Sequence, residues 1–191
     1  MSDIHYIQRF FTKTRSGRGN TRPFIQYYPF RTYSSIFHKK DDVSKFLKEM
    51  FTCEYEEKEK ECSSYKNKLM EYEVKEIEHV LTWHAVKAEY RGKGRQQHDT
   101  VQKYLIKNDE KVIATEVPVF NSTLHGFIDI LRIDNNKIQI VDFKPNAKSE
   151  NKDKVCNQLY NYRSLVSQFI DINKIQCLYF DDETCHEITY T

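Results

Sequence analysis

Two aspartates and a lysine stand inside otherwise apolar, β-branched segments of the sequence. Asp129 lies in LHGFIDILRI, and Asp142 and Lys144 lie in KIQIVDFKP. Carboxylates in segments that favour buried strands need a positive partner, because an unpaired buried charge is costly. Two carboxylates together suit a hard divalent cation such as Mg²⁺ or Mn²⁺. The three residues therefore predict a cation site, with a buried Asp–Lys ion pair as the alternative.

The spacing of these residues predicts how they meet. If Asn135 and Asn136 form a two-residue turn, the hairpin places Asp129 directly opposite Asp142. Side chains alternate along a strand, so Lys144 shares the face of Asp142. Directly opposed residues have Cβ atoms about 4.5–5.5 Å apart, and two bare carboxylates that close repel each other. A cation between them would relieve that repulsion.

The elements that must position these residues follow from hydrophobic periodicity. Val/Ile-rich segments separated by polar turns over 111–145 predict an antiparallel meander of three strands. Helical spacing predicts a helix over 41–51, a long helix over 54–90, and a further helix that carries His98. A helix over 154–170 and two closing strands follow. The order indicates a mixed α/β fold.

The length predicts a single domain over residues 1–191. We divide it into a basic aromatic arm over 1–40, a helical region over 41–91 and a catalytic core over 92–191. The arm is interrupted by glycine and proline, so little regular structure is expected there. The apolar stripe of the long helix is expected to pack on the core, and a homodimer formed through this helix is the alternative.

The arm concentrates positive charge beside aromatic rings. Eight basic residues and no Asp or Glu fall between residues 4 and 40, and aromatic residues are interleaved among them. Such a segment favours nucleic acid, because cations neutralise phosphates and rings stack on bases. A solvated arm with its rings on the core is the alternative. The candidate substrate contacts are Arg9, Arg15, Arg18 and Arg22.

The rest of the composition excludes several classes of protein. The chain has five dispersed cysteines without a C-x-x-C motif, which fits a reducing cytoplasm better than a disulfide framework. Apolar runs are too short for a membrane span, and the first residues lack the apolar stretch of a secretory signal. We expect a cytoplasmic protein without a membrane partner.

Five short motifs occur in order between residues 92 and 162. They are GKGRQQH with His98, TEVPV with Glu116, HGFID with Asp129, VDFK with Asp142 and Lys144, and QLYNY with Gln158 and Tyr162. D-x-K alone is a weak signal, but the ordered set is specific. It resembles the PD-(D/E)XK nuclease superfamily and, within it, the RecB-like nucleases, which include CRISPR-adaptation-associated exonucleases and relatives in archaeal viruses. The resemblance implies a restriction-endonuclease-like fold, with a mixed central sheet flanked by helices.

The resemblance also implies which residues carry out the chemistry. His98, Asp129, Asp142 and the backbone carbonyl of Phe143 would bind Mg²⁺ or Mn²⁺. Lys144 would orient or deprotonate the attacking water and stabilise charge on the phosphate.

Three further residues of the motif set surround this cation site. Gln158 and Tyr162, at i and i+4, would position Lys144 or the scissile phosphate. Glu116 would be a further catalytic carboxylate: a three-residue loop turns it away from Asp129, whereas another loop length or a bulge brings it to the cation side, as we expect. Ordinary helix polar contacts are the alternative for His98, Gln158 and Tyr162, and a solvent-facing position is the alternative for Glu116.

Departures from the family pattern limit the prediction. Several RecB-like members hold an iron–sulfur cluster through one upstream and three C-terminal cysteines, but here only Cys177 and Cys185 lie close to the C-terminus, so no such cluster is predicted. We predict an Mg²⁺- or Mn²⁺-dependent deoxyribonuclease for replication, recombination or repair, in the host cytoplasm if its source is a virus. The alternatives are a non-catalytic nucleic-acid-binding protein on a nuclease scaffold and a junction-resolving or restriction-type endonuclease.

Overall fold

A computed structural model describes seven segments of the chain. The described residues are 3–13, 22–32, 41–52, 61–62, 71–88, 95–121 and 124–191. Nine strands in these segments form one sheet. The strands are β1 (Asp3–Lys13), β2 (Arg22–Thr32), β3 (Glu61–Cys62), β4 (Tyr72–Ile77), β5 (Val112–Phe120), β6 (Leu124–Asp134), β7 (Lys137–Phe143), β8 (Ile175–Phe180) and β9 (Cys185–Tyr190). The α-helices are α1 (Asp41–Thr52), α2 (Val80–Lys87), α3 (Arg95–Asn108) and α4 (Lys152–Val166).

The sheet is mixed, as the sequence predicted. Its strand order is β1-β2-β5-β6-β7-β8-β9-β4, with the short β3 beside β6. Strands β7 and β8 run parallel, as do β3 and β6, and the other neighbours are antiparallel. The predicted meander of β5, β6 and β7 is therefore confirmed, and β8 and β9 are the two predicted closing strands.

Helices cover both faces of the sheet. Phe46 of α1 and Leu159 of α4 belong to one apolar cluster, together with sheet residues such as Ile140. Leu81 of α2 and Val101 of α3 belong to a second cluster. Along β7, Ile138 and Ile140 belong to the first cluster and Val141 and Phe143 to the second, as the strand period requires. Among the described helices, none is both long enough and apolar enough to cross a bilayer.

The turn between β6 and β7 sets the register of the central hairpin. Asn135 and Asn136 have φ angles of 47° and 64°, the left-handed pair of a two-residue hairpin turn. Pairing then continues from Asp134 and Lys137 at the turn to Ile130 and Val141. The predicted turn and register are thus confirmed along the hairpin.

The long helix predicted over 54–90 is wrong, because part of that range is a strand. Residues 72–77 form strand β4, which pairs antiparallel with β9. Val74, Ile77 and Leu81 have the three- and four-residue spacing of a helix, but the backbone partners supplied by β9 favour a strand. The described residues thus contain no helix of the kind to which the homodimer was attributed.

The expectation of little regular structure in the arm is also wrong. Strands β1 and β2 pair without interruption over eleven residues each. Pro23 and Pro29 of β2 suggested breaks, since proline lacks an N–H donor. They are six residues apart and therefore point their nitrogens to the same edge of β2. The unbroken ladder with β1 implies that this edge faces away from β1.

We expect the second turn residue of the central hairpin to control its stability. Asn136→Gly should raise the free energy of unfolding by about 0.5 kcal/mol, because glycine adopts positive φ without strain. Asn136→Ala should lower it by about 1 kcal/mol, because a Cβ without a local hydrogen-bonding group disfavours that conformation. Urea unfolding of both variants measures the difference. Equal stabilities of the two variants would contradict the turn assignment.

Candidate active site

Strands β6 and β7 part at the end of the hairpin that carries the two aspartates. The last backbone pair is Ile130 with Val141, and Asp129 and Asp142 occupy the next positions. There the backbone N–H of Phe143 donates to Asp129 Oδ2 at 3.0 Å. A side-chain carboxylate thus takes the place of a backbone acceptor and lies against the end of β7.

Helix α3 brings His98 to the same point. His98 Nε2 lies 2.7 Å from the carbonyl oxygen of Phe143 and 3.6 Å from Asp129 Oδ2. The imidazole also meets the Phe143 ring edge to face, with centroids 5.2 Å apart. Burial lowers the pKa of His98 and outweighs the opposite effect of the hydrogen bond to Phe143. The neutral ring that results is the form that ligates a metal.

Lys144 pairs directly with one of the aspartates. Its Nζ lies 2.6 Å from Asp142 Oδ2, and the two side chains are 18% and 2% exposed. Burial alone would lower the pKa of the ammonium, but the charges of Asp142 and Asp129 raise it well above its ordinary value. Lys144 is therefore held in its charged form. Its backbone N–H donates to the carbonyl of Phe180, which fixes the chain directly after β7.

The site holds more negative than positive charge. Burial raises the pKa of Asp129 well above its ordinary value, and the neighbouring Asp142 adds to the effect, while Lys144 opposes it. The charge of Glu116 also acts on Asp129 in the same direction. Three carboxylates thus face one ammonium, a balance that attracts a cation.

Glu116 lies on the cation side of the hairpin. Phe120 pairs with His125, so four residues lie between these paired residues, rather than the three that would turn Glu116 away. Between the pairs on either side, Glu116 falls opposite Asp129, with a positive φ of 52°. Gln102 Nε2 donates to Glu116 Oε1 at 2.7 Å.

Gln158 and Tyr162 meet each other on α4 and approach the same site. The Tyr162 hydroxyl accepts hydrogen bonds from Gln158 Nε2 at 2.9 Å and from the backbone N–H of Phe127 at 3.3 Å. The phenol is also close enough to Lys144 to influence the pKa of its ammonium. The pair thus connects α4 to the strand that leads into Asp129.

The arginines of the arm are placed only in part. Arg9 lies in β1 opposite Gln26, and Arg22 begins β2 opposite Lys13. Arg15 and Arg18 lie outside the described residues.

The donors at the hairpin end suit a hard divalent cation. Two ligands of an octahedral Mg²⁺ at about 2.1 Å lie about 3 Å apart. His98 Nε2 has separations of 2.7 and 3.6 Å from Phe143 O and Asp129 Oδ2, which bracket that value. Within the described segments, no three His, Cys, Asp or Glu side chains already form a complete metal site. The three donors that lie close together are His98, Asp129 and the backbone carbonyl of Phe143, and only two of them are side chains. The Asp142 carboxylate is paired with Lys144 instead.

Two residues near the site were not singled out from the sequence. Gln102 follows His98 by four residues, a spacing that places both on one helix face. Asp181, buried after β8, accepts from the backbone N–H of Ala147 at 2.6 Å and from that of Thr184 at 2.7 Å. It thereby ties the chain after Lys144 to the turn before β9. The helical spacing was a usable signal for Gln102, whereas the sequence held none for Asp181.

Comparison with known proteins gives one match. Residues 37–185, well over half of the chain, match the sequence model of the PD-(D/E)XK nuclease superfamily. The mixed sheet flanked by helices is consistent with the restriction-endonuclease-like fold of that superfamily. No curated protein and no solved structure matches the chain significantly.

We expect the charge of Asp129 to destabilise the metal-free protein at neutral and alkaline pH. A carboxyl whose pKa is raised by folding contributes stability below its unfolded pKa, and loses that contribution as pH rises through the folded value. Asp129→Asn should therefore have little effect at about pH 4 and should stabilise the protein by on the order of 1 kcal/mol at about pH 8. Urea unfolding in chelator at both pH values measures this.

The exposed Asp182→Asn serves as the matched control. Added Mn²⁺ should raise the unfolding midpoint of the wild-type protein but not that of Asp129→Asn, because binding stabilises only a state that holds the ion. An advantage of Asp129→Asn that does not grow with pH would contradict the assignment.

Proposed function

Because the chain belongs to the PD-(D/E)XK nuclease superfamily, we propose that it is a metal-dependent deoxyribonuclease of the RecB-like branch. One observation carries the proposal: His98, Asp129, Asp142, Lys144 and the carbonyl of Phe143 meet at one end of the central hairpin. A role in viral or cellular DNA replication, recombination or repair follows from the resemblance to this branch.

The cation of the proposed enzyme would be held by His98, Asp129, Asp142 and the carbonyl of Phe143. When bound, Mg²⁺ or Mn²⁺ activates water and polarises the phosphoryl oxygen. The donors are oxygen atoms and one neutral imidazole, which suit either ion. For all four donors to bind the cation, the Asp142 carboxylate would have to contact both the cation and Lys144.

Lys144 is proposed to stabilise the phosphate. Its raised pKa keeps it protonated, so it acts as a donor and a positive charge rather than as the base that takes the proton of water. As water adds to phosphorus and the bond to the leaving sugar oxygen breaks, negative charge builds on the phosphoryl oxygens. The ammonium beside Asp142 is placed to neutralise part of that charge.

Gln158 and Tyr162 are proposed to position this lysine. The Tyr162 hydroxyl already accepts two hydrogen bonds, from Gln158 and from Phe127, which fix the phenol beside Lys144. A rigid neighbour limits the rotamers of a long side chain, and such preorganisation reduces the cost of reaching the reactive geometry.

The β1–β2 hairpin is proposed to hold the DNA. Strand β2 pairs antiparallel with β5 at Phe30 and Ala114. Residues before Phe30 therefore run toward the end of β5 at which Glu116 stands opposite Asp129. Arg22 lies about 26 Å from Phe30 in that direction, given the rise of a strand. The basic residues Lys13 and Arg22, which form the last described pair of this hairpin, thus lie beyond Glu116 in that direction.

A second candidate is a DNA-binding protein without catalysis. The observation that favours it is the close ion pair between Lys144 and Asp142, which occupies a carboxylate that a cation requires. An endonuclease of the junction-resolving or restriction type shares the chemistry of the first proposal and differs from it in substrate. Cleavage assays distinguish all three.

We expect the purified protein to degrade DNA with added Mg²⁺ or Mn²⁺ and to lose activity in chelator. Asp142→Ala and Lys144→Ala should each reduce cleavage by about 100-fold or more, because each removes a charge that acts on the reacting groups. The exposed Asp182→Ala and Lys174→Ala are the matched controls and should cleave normally. Full activity in both site variants would disprove the roles of these residues.

Substrate form separates the remaining alternatives. Cleavage of linear but not of closed circular DNA indicates an exonuclease that requires ends, as expected for the RecB-like relatives. Cleavage of closed circles or of branched DNA favours the endonuclease. DNA binding without cleavage of any substrate, with either metal, favours the non-catalytic protein.

The arm should contribute electrostatically to DNA affinity. Replacing Arg15 and Arg18 by alanine should weaken binding across all sequences, because each arginine is expected to neutralise a phosphate. The slope of log K against log salt should fall by roughly 0.7–0.9 for each phosphate that is no longer neutralised. Fluorescence anisotropy in chelator, which prevents cleavage, measures this slope. Lys174→Ala should leave it unchanged, and an unaltered slope in the double variant would exclude the arm from the interface.

A further inference from the structure

Gln102 is a buried polar residue that faces the candidate active site. It is 3% exposed and lies on α3, one turn after His98. Its Nε2 donates to Glu116 Oε1 at 2.7 Å. Hydrogen bonds to a charged acceptor are stronger than neutral ones, and a buried amide requires such partners. The described contact of this side chain at the site is therefore its hydrogen bond to Glu116.

Glu116 has an unusual backbone at the point where it is held. Its φ of 52° is the left-handed conformation, which costs a residue other than glycine on the order of 1–3 kcal/mol. The strand is regularly paired on both sides, from Thr115 with Ile130 and from Val117 with Ile128. The strain is thus confined to the residue whose carboxylate faces Asp129. Strain maintained at a single side chain indicates that the placement of that side chain matters.

Glu116 would move if nothing held it. It shares the site with the carboxylates of Asp129 and Asp142, and like charges repel each other at short range. A flexible glutamate near two such charges lowers its free energy by rotating away toward solvent. A hydrogen bond from a rigid, buried donor opposes that rotation.

We propose that Gln102 is a positioning residue that holds the Glu116 carboxylate beside Asp129 without neutralising it. This inference rests on the proposed nuclease function. A neutral amide suits the task, because lysine or arginine in its place would cancel the charge of Glu116 and weaken its attraction for a cation. Alanine would remove this donor from the carboxylate.

Helix α3 gives this arrangement its precision. His98 and Gln102 are four residues apart and face the sheet together. The apolar side chains of Val101 and Leu105, both fully buried, pack the helix against that sheet. One rigid element therefore sets both the imidazole and the glutamate relative to the aspartates. Any shift of α3 alters the two interactions in concert.

The test uses Gln102→Met, which keeps a similar volume and removes the donor. We expect kcat to fall about tenfold with KM for DNA unchanged, and Mn²⁺ affinity, measured by calorimetric titration, to fall by a similar factor. In the Glu116→Ala background, Gln102→Met should change neither quantity further, because the residue acts only through Glu116.

Gln176→Met is the matched control. Gln176 Nε2 donates to Glu187 Oε1 at 2.7 Å, so it makes the same kind of bond on β8 and β9, on side chains that take no part in the site. Its Oε1 also accepts from Gln139 Nε2 at 2.8 Å, so Gln176→Met should lower the unfolding midpoint at least as much as Gln102→Met does, with kcat and Mn²⁺ affinity unchanged. Equal losses of kcat in both variants would reduce Gln102 to a structural residue and overturn the inference.

Two further results would also overturn it: unchanged kcat and Mn²⁺ affinity in Gln102→Met, or an undiminished effect of Gln102→Met in the Glu116→Ala background. Failure of the proposed function has a different signature. If the wild-type protein cleaves no DNA, the nuclease proposal fails. The Mn²⁺ titrations of the wild-type protein, Gln102→Met, Glu116→Ala and the double variant still decide whether Gln102 acts through Glu116.

Discussion

The hydrogen bond from the Phe143 N–H to the Asp129 carboxylate is the interaction on which the candidate active site depends. It ends the β6–β7 ladder one residue after the last backbone pair and holds a carboxylate where a sheet would otherwise continue. The carbonyl of Phe143 then faces His98, and Lys144 lies two residues after Asp142 and pairs with it. The two-residue turn at the other end of the hairpin makes this possible, because a slip of one residue in the hairpin would send Asp129 and Asp142 to different faces.

The same arrangement opposes folding stability. Three carboxylates in a largely buried site repel each other, and one ammonium offsets only part of that repulsion. Burial, together with the neighbouring carboxylates, raises the pKa of Asp129. The surrounding core must offset it, with α1 and α4 packed on one face of the sheet and α2 and α3 on the other. Proteins commonly retain such unfavourable charge where function requires it, since a bound ligand restores the balance. The electrostatic cost and the proposed cation affinity thus have one cause.

The sequence predicts those parts of the fold whose cause is local. Alternation and the Asn135–Asn136 turn predicted the central hairpin and its register, and helical spacing predicted α1 and the helix that carries His98. Strand β4 was missed because Val74, Ile77 and Leu81 have helical spacing, and only the pairing with β9, far along the chain, favours a strand. The arm was missed because its prolines suggested breaks. The hydrogen bond from Gln102 to Glu116 depends on how α3 sits on the sheet, which no local pattern records.

The groups at the site come from several different elements, and this explains why the motifs are spread along the chain. Strand β6 supplies Asp129, β7 supplies Asp142 and the Phe143 carbonyl, α3 supplies His98, and α4 supplies the Gln158–Tyr162 pair. These elements converge where β6 and β7 part. Regular elements hold side chains more precisely than loops do. The strained residue of the site, Glu116, lies between two regular pairs of β5 and β6, and a helix residue from across the site donates to its carboxylate. The left-handed backbone of the site therefore falls on the carboxylate that α3 holds.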